Sequence, residues 1–206
     1  MNLVLRRIAL VLAVTAGAAS LTACFSLVLG GAVVGGMVAT DRRTSGTVIE
    51  DEGIEFKASS RIRERMGDAV HVNVNSYNRQ VLLTGEVSNA QDIAQIQQIV
   101  AGVDNVRNIV NELAVMGVTS FAQRSSDALV TGQVKARLLD ANDLNSNAIR
   151  VFTERGTTYL MGRVTQREML RATELAGATS GVQRIVRVFD MVTEEELQGQ
   201  PAPVTK

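Results

Sequence analysis

The sequence predicts an α+β fold in which one α-β-β-α-β unit occurs twice in tandem. Strand-like runs alternate polar with apolar residues, helix-like runs place apolar residues at i and i+4, and the order of runs in the first half recurs in the second.

In the first unit a helix is expected from about Ile54 to Met66. The strand AVHVNVNS follows, then a turn at Asn78 and Arg79, the strand QVLLTGEV, a helix from Asn89 to Ala101 and the strand NVRNIVNELAV. In the second unit the same order gives a helix from Asp127 to Leu139, the strand AIRVFTE, a turn at Arg155 and Gly156, the strand TTYLMGRV, a helix from Gln166 to Thr179 and the strand VQRIVRVFDMV. LTGEV (83–87) lies over LMGRV (160–164), and GVDNV (102–106) over GVQRI (181–185). Gly85 and Gly162 are read as points where the strand bends toward its helix.

The first helices of the two units are aligned so that Ala58, Ile62 and Met66 match Val130, Val134 and Leu138, an i, i+4, i+8 stripe that covers a sheet. Around the second-unit helix a different stripe carries Leu129, Gly132, Ala136 and Leu139 with Lys135 beside it and Arg137 nearer the core edge. Its first-unit counterparts in this alignment are Lys57, Ser60, Glu64 and Gly67. An apolar face bordered by cations suits a membrane surface with anionic headgroups. The same stripe also suits packing against the first unit across a short linker.

Upstream, Arg6 and Arg7 precede an apolar run from Ile8 to Ala19, the layout of an export signal and too short for a membrane span. LTAC (21–24) closely resembles the lipobox of bacterial lipoproteins and ends in the only cysteine, Cys24, which that resemblance makes a lipidation site. Phe25 rather than Asp follows it, which by the same resemblance favours the outer membrane. The Gly31–Gly35 spacing in SLVLGGAVVGGMVA reads as a small-residue tether near the lipid surface. It is too short a run to cross a bilayer and lacks the strand that a nucleotide loop follows. The chain thus divides into a signal at 1–23, a lipidated tether at 24–50, domains at 51–115 and 124–192, and a flexible tail at 193–206.

Without Arg6 and Arg7 the basic residues number 21 − 2 = 19 against 21 acidic, a net charge of −2, which argues against a nucleic-acid partner. No acid, base and nucleophile constellation stands at a motif spacing, so no enzyme and no cofactor is expected. His71 is read as a solvated strand residue sharing a polar face with Asn73 and Asn75, and no cluster suggests a metal.

The paired LTGEV/LMGRV and GVDNV/GVQRI features resemble the BON domain of bacterial outer-membrane and nodulation proteins over about 130 residues. Lipobox, tether, TDRRT linker and two such units in this order are similar to the dual-BON outer-membrane lipoprotein family. The resemblance implies a three-stranded mixed sheet with two helices per unit. It also implies an outer-membrane location facing the periplasm, anionic phospholipid binding by the second unit, presence at the division site and support of outer-membrane integrity. A tryptophan common in that family is replaced by Leu129, and the chain has no tryptophan. An alternative role is interaction with outer-membrane protein assembly machinery, through sheet edges able to accept a partner strand.

Overall fold

The computed structural model describes residues 41–67 and 70–199; the export signal, Cys24, the Gly31–Gly35 run and the end of the expected tail lie outside them. Helix α1 (Ser45–Met66) leads into strands β1 (His71–Tyr77) and β2 (Gln80–Val87), helix α2 (Ala90–Ala101) and strand β3 (Asn108–Val115). Helix α3 (Phe121–Asp140), strands β4 (Ile149–Glu154) and β5 (Thr157–Val164), helix α4 (Gln166–Gly177) and strand β6 (Arg184–Met191) repeat the order. Each unit forms a mixed three-stranded sheet, β1-β2-β3 or β4-β5-β6, antiparallel in its first pair and parallel in its second.

The strands form where alternation lets one face meet the unit's own helices. Val81, Leu83 and Val87 of β2 join Ile54, Ala58 and Ile62 of α1 and Ile96, Ile99 and Val100 of α2 in one core. Val151, Leu160 and Val164 join Val130, Val134 and Leu138 of α3 with Ala172 and Ala176 of α4 in the second. Alternate residues point the other way. They make a third core, in which Tyr77 and Leu82 of the first sheet meet Tyr159, Met161 and Val188 of the second. The two sheets are therefore packed face to face, with a pair of helices outside each. The central strands β2 and β5 are buried on both faces, which explains their nearly continuous apolar character.

The polar face expected of His71 and Asn73 is partly solvated, with Asn73 exposed and the His71 side chain 32% exposed. It also takes protein partners: His71 Nδ1 lies 2.9 Å from Glu86 Oε2, and Asn73 Nδ2 donates to Glu154 Oε1 at 2.5 Å. Gly85 and Gly162 serve otherwise than expected. Both lie within strands, and a Cβ at either would sit 2.0 or 2.2 Å from a backbone carbonyl oxygen of the neighbouring segment, His71 or Ala148. Close approach requires glycine at both, and at Gly85 the φ of 125° requires it as well.

Both β-hairpins use two-residue turns with positive φ, at Asn78 (50°) and Arg79 (65°) and at Arg155 (50°) and Gly156 (70°). Such turns match the twist of the strands they join. A buried carboxylate holds each one. Asp51 of α1 accepts from the N–H groups of Asn78 and Arg79, both at 2.7 Å, and Asp127 of α3 accepts from those of Arg155 at 2.8 Å and Gly156 at 3.0 Å.

Helix α1 begins at Ser45, well before the expected Ile54, and α3 begins at Phe121 rather than Asp127. Residues 41–50, read as tether, thus include folded chain. Arg43 is 6% exposed, bonds Asp41 and Asp51, and stacks over the Tyr77 ring at 4.2 Å. At the other end, part of the stretch read as a flexible tail forms a short capped helix, α5 (Glu194–Gln198).

Arg42 ties this leading segment to the second domain. Its guanidinium donates to the Arg163 carbonyl at 2.9 Å and to both oxygens of the buried Glu168 at 2.6 and 2.8 Å. Burial alone would raise the Glu168 carboxyl, but Arg42 and the N–H groups of Thr165 and Asn145 outweigh it and hold its pKa at about 2 against an ordinary 4.5. The resulting stabilisation, on the order of 3 kcal/mol, is fully present above the unfolded value and is lost as pH falls from 4.5 toward 2. Stability measured by urea unfolding should therefore fall across that window. Arg42→Ala should cost about 3 kcal/mol at pH 7, because it leaves a buried carboxylate unpaired, and should flatten the acid loss. Equal stability of variant and parent at pH 7 would contradict the clamp.

Candidate functional site

Helix α3 starts because Ser120 caps it, its side chain accepting from the Gln123 N–H at 3.2 Å. Its buried residues are Asp127, Val130, Val134 and Leu138, against Asp51, Ile54, Ala58 and Ile62 in α1. The two acids share the turn-holding role, so they fix the equivalence of the helices: Val130 corresponds to Ile54, not Ala58. The alignment expected from sequence is one turn off. Leu129, Gly132, Ala136 and Leu139 then correspond to Gly53, Phe56, Ser60 and Arg63.

The second-unit stripe does not pack on the first unit. Leu129 is 70% exposed and Leu139 63%, and Gly132, Lys135 and Ala136 are exposed as well. The reason is the layer order: the first unit occupies the opposite face of the β4-β5-β6 sheet. At about 100° per residue, the stripe lies on the side of α3 away from Val130, Val134 and Leu138. The longer helix adds Phe121, 81% exposed, to the same side. Phe121, Leu129 and Leu139 are thus three exposed large apolar side chains on one side of a single helix. Phe121 was missed because its helical turn has no apolar stripe to count, and only the Ser120 cap signal marks its start.

Arg124 and Lys135 border this face on one side and Arg137 on the other, and none of the three makes an ion pair with a described residue. The first helix is not simply polar at its equivalent face, because Ile49 and Phe56 are 70% and 74% exposed. What distinguishes it is charge. The exposed Glu52 lies between them, and α1 carries acids at 50, 51, 52, 55 and 64, whereas α3 has only the buried Asp127 and Asp140 at its end.

Glu86 fixes α3 relative to the first domain. It is 2% exposed and accepts from Thr119 Oγ1 in the linker and from Arg155 Nη1 in the β4–β5 turn, both at 2.5 Å, with His71 as its third neighbour. Burial would raise its carboxyl, but the bonds from Thr119, Arg155 and His71 prevail and lower it. No described helix is long and apolar enough to cross a membrane, and no described group of three or more His, Cys, Asp or Glu residues is arranged to hold a metal ion.

The sequence matches the BON domain family at residues 51–117 and 126–193. It is 37% identical over 171 residues to the outer membrane lipoprotein DolP of Haemophilus influenzae, covering 82% of this chain and 89% of that protein. It is 27% identical to a 21 kDa hemolysin of Actinobacillus pleuropneumoniae, covering 74% and 79% of the two chains. To the osmotically inducible protein Y of Escherichia coli it is 24% identical, covering 68% and 72%.

Because the face is solvent-exposed, Leu139→Glu should change urea stability by no more than about 0.5 kcal/mol. A loss of several kcal/mol would mean that the face is packed. A Cβ at Gly132 meets nothing within 4 Å, so Gly132→Ala should stabilise the protein by roughly 1 kcal/mol in the same measurement.

Proposed function

The chain belongs to the dual-BON outer-membrane lipoprotein family of DolP type, and from that premise we propose that it is a noncatalytic, lipid-anchored module that binds anionic phospholipid through α3 of its second BON domain. In this reading Cys24 carries the lipid, the protein faces the periplasm from the outer membrane, and it supports envelope integrity at the division site. The observation that carries the lipid assignment is the uncovered apolar face of Phe121, Leu129, Gly132, Ala136 and Leu139 with Arg124, Lys135 and Arg137 at its borders. Apolar side chains would enter the acyl boundary while the cations meet headgroup phosphates.

Phe121 supplies the aromatic ring that Leu129 lacks. The tether permits the geometry, since Cys24 precedes Asp41 by 41 − 24 = 17 residues, at most about 60 Å when extended. A domain pair of this size has a radius of gyration near 15 Å.

The soluble fragment beginning at Asp41 should sediment with vesicles rich in phosphatidylglycerol and far less with neutral phosphatidylcholine vesicles. Leu139→Glu removes a leucine worth about 1.5 to 3 kcal/mol on burial and adds a repelling charge, so it should weaken binding at least about tenfold. Phe56→Glu, on the acid-bordered helix of the first domain, should leave binding nearly unchanged. Equal binding to both vesicle types, or an equal loss from both substitutions, would refute the assignment.

A further inference from the structure

Strands β1 and β4 each pair on one side only. In a hairpin closed by a two-residue turn, the residues flanking the turn exchange hydrogen bonds, and every second residue from there points its backbone groups outward. On β1, Tyr77 pairs with Gln80, so Ser76, Val74 and Val72 point outward; on β4, Glu154 pairs with Thr157, so Thr153 and Val151 do. Ser76 is already occupied, its N–H donating to Glu55 at 2.7 Å and its carbonyl accepting from Arg150 at 3.3 Å. The outward N–H and C=O groups of Val72 and Val74 take no hydrogen bond from a described residue.

These two free edges open into one groove of about 750 Å³, lined by residues 70–75 of the first domain and 151–154 of the second and walled by α1 and α3. Arg63 stands on the α1 wall and Lys135 on the α3 wall, and neither makes an ion pair with a described residue. Among the groups lining the groove, the opposing charge is Glu154, whose Oε1 accepts from Asn73 at 2.5 Å and Thr84 at 2.7 Å and whose Oε2 takes no hydrogen bond but lies 3.8 Å from the Arg155 guanidinium. His71 lies at the same end, bonded to Glu86.

We propose that this groove receives an extended acidic polypeptide segment as a fourth strand on the β1 edge. The alternating unsatisfied groups of Val72 and Val74 call for a backbone of strand geometry, and the two unpaired cations call for carboxylates along it. The inference does not rest on the lipid-binding reading, because the β1 edge and Arg63 take no part in the outer face of α3 and only Lys135, at the border of that face, is common to both.

The test uses the isotopically labelled full chain in nonionic detergent and an acetylated octapeptide alternating glutamate and valine, followed by NMR amide exchange. Exchange at Val72 and Val74 should slow at least about fivefold, while Asn73 and Asn75, already paired with β2, stay unchanged. A valine–lysine octapeptide should give no protection, and Arg63→Glu should weaken binding of the acidic peptide at least about fivefold. Val74→Pro removes one outward N–H at an edge position that tolerates proline and should abolish the protection at Val72, with the β2 and β3 signals reporting that the sheet is intact. The proposal is overturned by absent protection, by equal protection of both residue parities, by equal response to the lysine peptide, or by phosphatidylglycerol micelles protecting these amides where the peptide does not.

Discussion

The architecture depends on a single constraint: each three-stranded sheet has two apolar faces and only one pair of helices to cover them. The helices of each unit take one face, and the remaining face can only be buried against the other sheet. Tyr77, Leu82, Tyr159, Met161 and Val188 make that contact, all of them 2% exposed or less. With full burial of a large apolar side chain worth roughly 1.5 to 3 kcal/mol, this shared core makes one folded body of two small repeats. It also sends the helix pairs to opposite outsides. That leaves the far side of α3 in solvent, although the linker keeps the domains adjacent.

Polar groups set the details that apolar packing leaves free. Asp51 and Asp127 each hold a hairpin turn, Glu86 joins the linker to the second domain's turn, and Glu168 receives Arg42 from the segment before α1. Each is buried, so each costs desolvation and is stable only with its donors in place. Asn78, Arg79 and Arg155 are held at positive φ, a conformation that costs a non-glycine residue roughly 1–2 kcal/mol. The carboxylate bonds to these turns offset that cost and fix the helix-to-hairpin register in both repeats.

Much of this was legible in the sequence, and the failures share a cause. Strands and turns were clear because period-two alternation and the Asn78-Arg79 and Arg155-Gly156 pairs mark them directly. The helix starts were not, because the opening turns of α1 and α3 bury nothing and the first buried residue in each is an acid, Asp51 or Asp127, rather than an apolar side chain. Hydrophobic periodicity had nothing to count there. The one-turn slip between the repeats follows from the same gap: an apolar stripe moved by one turn still places apolar on apolar, and only the two acids distinguish the registers. His71 and Asn73 do share a partly solvated polar face, and what the sequence could not show is that Glu86 and Glu154 meet it. Of the candidate site, Leu129, Gly132, Lys135, Ala136 and Leu139 were legible as residues grouped on one side of a helix, whereas their exposure needed the layer order and Phe121 was hidden by the late helix start.

The claim on which the functional account turns is that α3, and not α1, is the element that meets the bilayer. The fragment from Asp41 contains no cysteine, since the only one in the chain is Cys24, so a nitroxide can be placed at Leu129→Cys or at Phe56→Cys without a competing thiol. Spin-label accessibility to oxygen and to a water-soluble nickel complex, measured with and without phosphatidylglycerol vesicles, reports which label enters the acyl region. The account predicts that the label at 129 becomes oxygen-accessible and shielded from nickel while the label at 56 stays aqueous. Insertion at 56 with 129 left in water would contradict it.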